Sequence, residues 1–488
     1  MKPSIFRTAD GRNHALTFAL VSSLFLLWGF CNGMIDVMDK HFQEELGLSL
    51  AQSAWVQFAH YLGYFLMALP AGWIATKLGY RGGIIAGLLM VAVGGLWFIP
   101  ATQIAQFWAF LLGVCLIAAG LTFLETVANP YTTVLGSPEY AATRINLAQS
   151  CNGIGWVFGP IAGAMFFYST DAQGQSTGNE TLWIPYAAVA GVVILLALVF
   201  AKAPMPDLVG RETPTAGDAP SAAARGGRAS LLLLLLNLAV LAVSIGMIVS
   251  AVAVIFSEQL LVPVLAGSSL LFLVLSAPAA VRHARKMDPA SIWAHPHFSG
   301  ATLAQFAYVA AQSGIFAYFI NYMTSQPPSP VSNATASTLA SVGFLCFLGG
   351  RFIGAGLVKK FAAHKVLGVY GVINVVLCAL VMAKAGWASV AGVFVIYFFM
   401  SIMFPTIFAL GVSGLGAKTK RASSYIVMAI MGGAIMPKLM GHVADVTSVS
   451  TSFIVPLFCF VVVALYGFNW SRLGGVEAPQ GAPVPGGH

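Results

Sequence analysis

Residues 107–136 read FWAFLLGVCLIAAGLTFLETVANPYTTVLG. The run is long enough to cross a bilayer as a helix, which takes about 20 apolar residues, yet it holds a carboxylate, Glu125. An acidic residue near the centre of a membrane helix costs about 2.5–3.5 kcal/mol on insertion scales, and such residues usually mark ion or proton paths. The rest of the chain agrees with a membrane reading. Its 488 residues are 58% hydrophobic and 8% charged, whereas soluble domains carry about 25% charged residues. The six cysteines lie in apolar runs and form no CxxC pair, so they read as packing residues without a disulfide framework or metal site.

Fourteen candidate spans follow, near 15–38, 52–76, 82–99, 107–135, 143–168, 182–202, 231–256, 260–281, 298–322, 337–358, 365–384, 388–415, 422–444 and 451–470. The basic N-terminus leads into a long apolar run without a small-residue cleavage site, so it reads as a retained first span. With the N-terminus inside, 20 of the 24 Lys and Arg fall in inner segments. That bias places both termini in the cytoplasm. It also accounts for the net charge of +8 without nucleic acid.

The two halves echo each other. Pro130 precedes Gly136 by six residues, and Pro405 precedes Gly411 by six. Arg144 stands sixteen residues before Pro160, and Arg421 sixteen before Pro437. The expected architecture is all-α: a six-helix bundle over 1–202, a cytoplasmic linker over 203–230, an extra transmembrane hairpin with an inner loop over 231–295, a second six-helix bundle over 296–472 and a disordered tail over 473–488. Paired repeats of this kind are the plan of secondary transporters, which bind substrate near the midplane between the halves. The hairpin is nearly all aliphatic, so it is expected outside the bundle, peripheral to transport.

Polar residues form stripes. Thr122, Glu125, Thr126, Asn129 and Thr133 share one helix face; Trp28, Asn32 and Asp36 recur at i, i+4, i+8. Gln149 and Asn152 mark the fifth span, and Gln305, Gln312 and Asn321 the span over 298–322. Isolated amides serve helix packing as readily as function, whereas Asp36 and Glu125 point to proton coupling. His60 reads as a packed histidine, Arg351 as a bonder of helix ends at an inner gate, and Lys438 has no evident task. Amides supply donors and acceptors together, an aromatic ring packs on C–H faces, and no cation waits for an anionic substrate. The set suits a sugar.

At these residues the chain resembles the fucose–galactose–glucose proton symporters of the major facilitator superfamily. The stretches FLLWGFCNGMIDV, GLTFLETVANPYTTVLG, RINLAQSCNGIG, LAQFAYVAAQSG and SIMFPTIFALG carry the likeness, over about 20–170 and 298–470. The resemblance implies uptake of a monosaccharide of the fucose, glucose, galactose, mannose or N-acetylglucosamine class, driven by a proton gradient with no cofactor. It implies proton coupling by Asp36 and Glu125 and sugar contacts from Trp28, Asn32, Asn129, Gln149, Asn152, Gln312, Asn321 and Phe404. Arg81, Arg144, Arg351 and Arg421 are expected in structural or gating roles. Two positions depart from the fucose carriers: Gly33 stands where they pair a second asparagine, and Phe404 where they have tyrosine. The expected carrier is a multi-pass bacterial inner-membrane protein, monomeric, with no nucleic-acid partner. A drug–proton antiporter shares the fold, and a non-transporting sugar sensor is the further alternative; an enzyme is not expected, since no nucleophile–base motif occurs.

Overall fold

The computed structural model describes residues 5–7, 12–136, 141–168, 181–203, 205, 228–254, 258–285, 291–413, 415 and 419–474. Most of the expected linker, and the tail beyond Gly474, lie outside the described residues. The first half comprises α1 (Ala15–Glu45), the short α2 (Leu50–Ser53), α3 (Trp55–Ile104), α4 (Phe107–Val134), α5 (Ala141–Phe166) and α6 (Trp183–Lys202). The hairpin is α7 (Arg228–Val254) and α8 (Leu261–Arg285). The second half comprises α9 (Pro296–Ala317), α10 (Phe319–Ser325), α11 (Asn333–Lys360), α12 (Ala363–Met382), α13 (Trp387–Met400), α14 (Met403–Val412), α15 (Thr419–Met428), α16 (Gly432–Val446), α17 (Val449–Ser452) and α18 (Ile454–Asn469). Helices suit a bilayer because every backbone donor finds its acceptor inside the same segment.

Gly79 divides α3 into two arms. Its φ of 68° and ψ of −177° interrupt the helix, a conformation that a side chain would resist. The chain turns back there, so both arms run through the first bundle.

Eleven helices among the described residues are long and apolar enough to cross a membrane, or twelve if α9 and α10, bent by 43°, form one span. The count of fourteen from the sequence therefore exceeds what length and apolarity support. The two runs that fall short, 52–76 and 143–168, are nevertheless helical, as the first arm of α3 and as α5. Gln57 and His60 in one, and Arg144, Gln149 and Asn152 in the other, lower their hydropathy. Both helices pack against the opposite half, so part of their surface meets protein in place of lipid.

In the first half α3 packs on α4 and α6, and α1 on α5. In the second, α9 packs on α18, α16 and α14, while α12 packs on α18 and α13. The halves meet along two seams. At one, α11 lies on α5, and the Ser337 and Ser341 hydroxyls each donate to a backbone oxygen, of Pro160 and Val157, at 2.7 Å. At the other, α16 lies on α2 and the first arm of α3. By the Arg–Pro offset α5 and α16 are counterparts in the repeat, so the two seams are related to each other by it.

Among the described residues, the hairpin packs at the second seam and on α9. Met247 of α7 is buried in a cluster with Trp55, Phe58, Met431 and Ala434. Farther along α7, Asn237 donates to the Ser299 carbonyl at 2.9 Å and accepts from Thr302. Val262, Leu270, Leu271, Val274 and Leu275 of α8 are exposed. The exposed apolar surface of the hairpin is thus on α8, whereas α7 packs against the side of the bundle.

Candidate substrate and proton site

Three first-half helices bring the expected residues together. Trp28 of α1 donates its indole N–H to the Tyr64 hydroxyl on α3. Glu125 of α4 lines a small cavity with Leu24, Phe25, Trp28, Leu124 and Ala128. One turn along α4, Asn129 accepts a hydrogen bond from Gln149 Nε2 of α5 at 3.3 Å. A carboxylate, an indole and an amide pair therefore share one side of the bundle. Asn32 and Asn152 are both buried, and Asn32 Oδ1 and Asn152 Nδ2 have no hydrogen-bond partner among the described residues. Unsatisfied buried amide atoms are uncommon and call for an explanation such as a missing ligand or water.

Glycines set how α1 meets α5. A Cβ on Gly33 would stand 2.9 Å from the Trp156 carbonyl oxygen and 3.2 Å from Gly159 Cα. Small residues of this kind let membrane helices approach closely. A larger side chain at position 33 has no room between these two backbones.

Asp36 is placed apart from Glu125, among different partners. Gln57 Nε2 donates to Asp36 Oδ1 at 3.0 Å and to Asp39 Oδ2 at 3.2 Å. Sequence reading missed Asp39 because it lies one residue beyond the expected first span, although its i, i+3 spacing from Asp36 puts it on the same face. Gln43 escaped notice for the same reason. It exchanges amide hydrogen bonds with Asn321, so Asn321 belongs to the contact between the halves and not to the Trp28 cavity.

That contact closes one end of the bundle, the end bearing α2. Asp445 of α16 accepts from the backbone N–H of Leu50 at 2.9 Å and of Ala51 at 2.9 Å, satisfying open donors at the start of α2. Lys438, which had no task in the sequence, donates to the Ala51 carbonyl at 3.0 Å and lies 4.1 Å from the centre of the Trp55 ring. Tyr318 donates to the carbonyls of Leu50 and Pro437. Above this closure lies a polar hollow of about 490 Å³ lined by Lys40, Gln43, Asn321, Gln326 and Ser448, among others.

The remaining candidates take varied positions. Gln312 on α9 is half-buried, and Phe404 meets Tyr308 edge-on at 6.4 Å. His60 packs between Tyr61 and Tyr64, with ring centres 5.1 and 5.0 Å away. At the opposite, basic end, Arg81 donates to the Ala203 carbonyl at 2.7 Å. Arg144 donates to the carbonyls of Thr132 and Ile5 at 2.8 Å each, tying α4 and α5 to the N-terminal segment. Arg351 differs from expectation: its guanidinium lies 5.2 Å from the Phe347 ring centre, and its buried Nε bonds to no helix end. The Arg421 side chain lies outside the described residues.

The profile of the Major Facilitator Superfamily matches residues 16–429. The chain belongs to this superfamily. Within the superfamily it is 32% identical over 474 residues to the L-fucose-proton symporter of Escherichia coli (strain K12), covering 94% of this chain and 93% of the relative. It is 27% identical over 467 residues to a glucose/galactose transporter of Brucella abortus, covering 95% and 96%. Among solved structures, the crystal structure of the superfamily transporter FucP in the outward conformation aligns with a TM-score of 0.60 at 31% identity, covering 94% of this chain and 99% of that one. A D-xylose-proton symporter aligns with a TM-score of 0.64 at 11% identity, covering 93% and 97%, which speaks for the superfamily fold alone.

Proposed function

We propose that the chain carries a monosaccharide across the membrane together with protons, by alternating access. It is a multi-pass membrane transporter and not an enzyme, and its relatives bear the names of fucose and of glucose and galactose carriers. The observation that carries the site assignment is the convergence of Trp28, Glu125, Asn129 and Gln149 from α1, α4 and α5. The sugar's apolar C–H face lies on the Trp28 ring, and its hydroxyls exchange hydrogen bonds with Asn129, Gln149, Asn32 and Asn152. Gln312 and Phe404 supply the opposite wall from the second half. Glu125 and Asp36 take up and release protons. The proton gradient is the energy source, and no cofactor is called for.

The basic end faces the cytoplasm, following the distribution of Lys and Arg. The α2 end is then the outer gate, here closed by Asp445, Lys438 and Tyr318. Arg81 and Arg144 brace the inner ends of the first-half helices. The carrier works as a monomer in a bacterial inner membrane.

Counterflow tests this reading. Purified carrier in proteoliposomes, preloaded with unlabelled sugar, should take up radiolabelled L-fucose, D-glucose, D-galactose, D-mannose or N-acetylglucosamine. An acid-outside gradient should raise the uptake of the preferred sugar above equilibrium. Uptake of none of the five, by protein that is folded and inserted, overturns the substrate class.

A further inference from the structure

Asp39 has no task in the scheme above, yet it is only 1% exposed, deeper than Asp36 at 8%. A carboxylate in a membrane helix needs a reason to be there. Both carboxyls leave the same face of α1, and one amide serves both, since the two N–H bonds of Gln57 are divided between Asp36 Oδ1 and Asp39 Oδ2. The second oxygen of each carboxyl, Asp36 Oδ2 and Asp39 Oδ1, is buried without a hydrogen-bond partner among the described residues. Gln57 is itself 1% exposed. Its carbonyl oxygen lies 3.3 Å from the Ser313 hydroxyl on α9, and that hydroxyl is 3.1 Å from the Gly433 carbonyl oxygen on α16. The polar chain therefore starts at two aspartates in the first half and ends on the second half, across the seam that closes the α2 end.

We propose that Asp36 and Asp39 form one proton-binding unit, and that Gln57 is the positioning residue linking that unit to closure of the α2 end. This rests on the reading of the chain as a proton-driven sugar carrier. Two ionised carboxylates on one neutral amide would place like charges side by side, which a shared site resists. No Lys, Arg or His among the described residues pairs with either carboxylate. Lys40 next to Asp39 pairs with Glu44 at 2.9 Å, and Lys438 on α16 is held on Ala51 and Trp55. The titratable groups around the pair include Tyr61 of α3, Tyr168 after α5, Tyr318 ahead of α10 and Tyr397 of α13, with the buried His41 two residues past Asp39, its ring against Tyr168, and His60 against Tyr61. The phenols are uncharged at neutral pH.

A proton from water forms an O–H bond at one of the two free oxygens, removing one of the adjacent charges. When the halves part at the α2 end, Ser313 and Gly433 leave Gln57 and water reaches the pair. When they close, the pair is shut off from the water at that end, and the amide holds both carboxyls in place. Loss of the proton to water on the other side restores the second charge.

Infrared difference spectroscopy of the whole carrier in proteoliposomes, titrated with pH, reads the carboxyl C=O stretch directly and needs no sugar. Asp36→Asn assigns the band. Asp39→Asn keeps the shape and the bond to Gln57 but removes the neighbouring charge, so the band of Asp36 should vanish at a pH lower by about one unit or more. Gln57→Leu removes the donors to the ionised forms, so the transition should move to higher pH. A transition unmoved in both variants, in protein that elutes like wild type, overturns the proposal, as does a spectrum with no protonated carboxyl attributable to Asp36 or Asp39. The same vesicles tested by sugar counterflow separate this from the parent reading. Absent counterflow with shifted titrations rejects the sugar and keeps the proton pair, whereas normal counterflow with unmoved titrations rejects the pair alone.

Discussion

Glu125 and Asp36 look equivalent in the sequence, as single carboxylates in apolar helices, but their surroundings differ. Glu125 stands alone at the edge of a cavity, against the rings of Phe25 and Trp28, and is half-buried. Asp36 is sealed, hydrogen-bonded, and backed by a second aspartate on a shared amide that reaches the other half of the protein. The difference suggests a division of labour. On the proposed function, a lone carboxylate beside the sugar can sense whether sugar is bound, and a paired carboxylate wired across the seam can sense whether the gate is closed. Coupling needs both, because a ligand shifts a conformational equilibrium only through contacts that differ between the two states.

The sharpest test removes the lone carboxylate. Glu125→Gln should reduce gradient-driven accumulation in proteoliposomes to background while counterflow persists, since the amide resembles the protonated acid but cannot cycle; concentrative uptake by this variant would break the comparison. Asp36→Asn should lose less, because Asp39 remains, and only the double change Asp36→Asn with Asp39→Asn should equal the Glu125 variant. Equal damage from Asp36→Asn alone would show that Asp39 does not share the work.

A smaller effect belongs to the amides beside Glu125. Asn129→Leu or Gln149→Leu should weaken sugar binding, measured by calorimetry, by about 1–3 kcal/mol, the cost of leaving a buried polar partner unsatisfied. Because the two side chains bond each other at 3.3 Å, the double variant should lose less than the sum. Additive losses would mean that they act separately.

On the side of Asp36, Asp445→Ala should loosen the closed gate. In a background lacking the six native cysteines, Ser53→Cys, at a buried position in α2, should react several-fold faster with a membrane-impermeant maleimide once Asp445 is removed. Unchanged labelling would mean that Lys438 and Tyr318 hold the closure without it. The smallest effects should come from the hairpin. Leu275→Ala on the lipid-facing side should change thermal stability by no more than about 0.5 kcal/mol. Met247→Ala should lower it measurably while leaving transport intact, and equal behaviour of the two would argue against a load on the seam.

Much of the fold was legible because a bilayer constrains sequence strongly. Long apolar runs, basic loops and the recurring Pro–Gly and Arg–Pro offsets needed no partner to be read. The span count strayed where helices carry polar faces, as in the first arm of α3 and in α5. Their polarity depends on what they pack against, and no single helix records that. The Trp28–Glu125–Asn129–Gln149 group was foreseen through helical spacing on separate spans. Asn321, chosen on the same grounds, turned out to bond Gln43 at the gate, because spacing fixes a face of a helix but not the neighbour that this face meets.

The sequence by itself determined that this chain crosses a membrane many times, that it has two related halves, and that it places carboxylates where they are costly. Each of these is local: burial in lipid penalises charge wherever it stands, and a repeat can be seen without being folded. Only the tertiary structure decided that Asp39 joins Asp36, that Lys438 and Asp445 hold α2, and that α7 is fitted into a seam while α8 faces outward. Gly33 shows why. Nothing in its neighbours along the chain demands a glycine, but 2.9 Å away stands the carbonyl oxygen of Trp156, and what a residue can do there is set by a helix more than a hundred residues farther on.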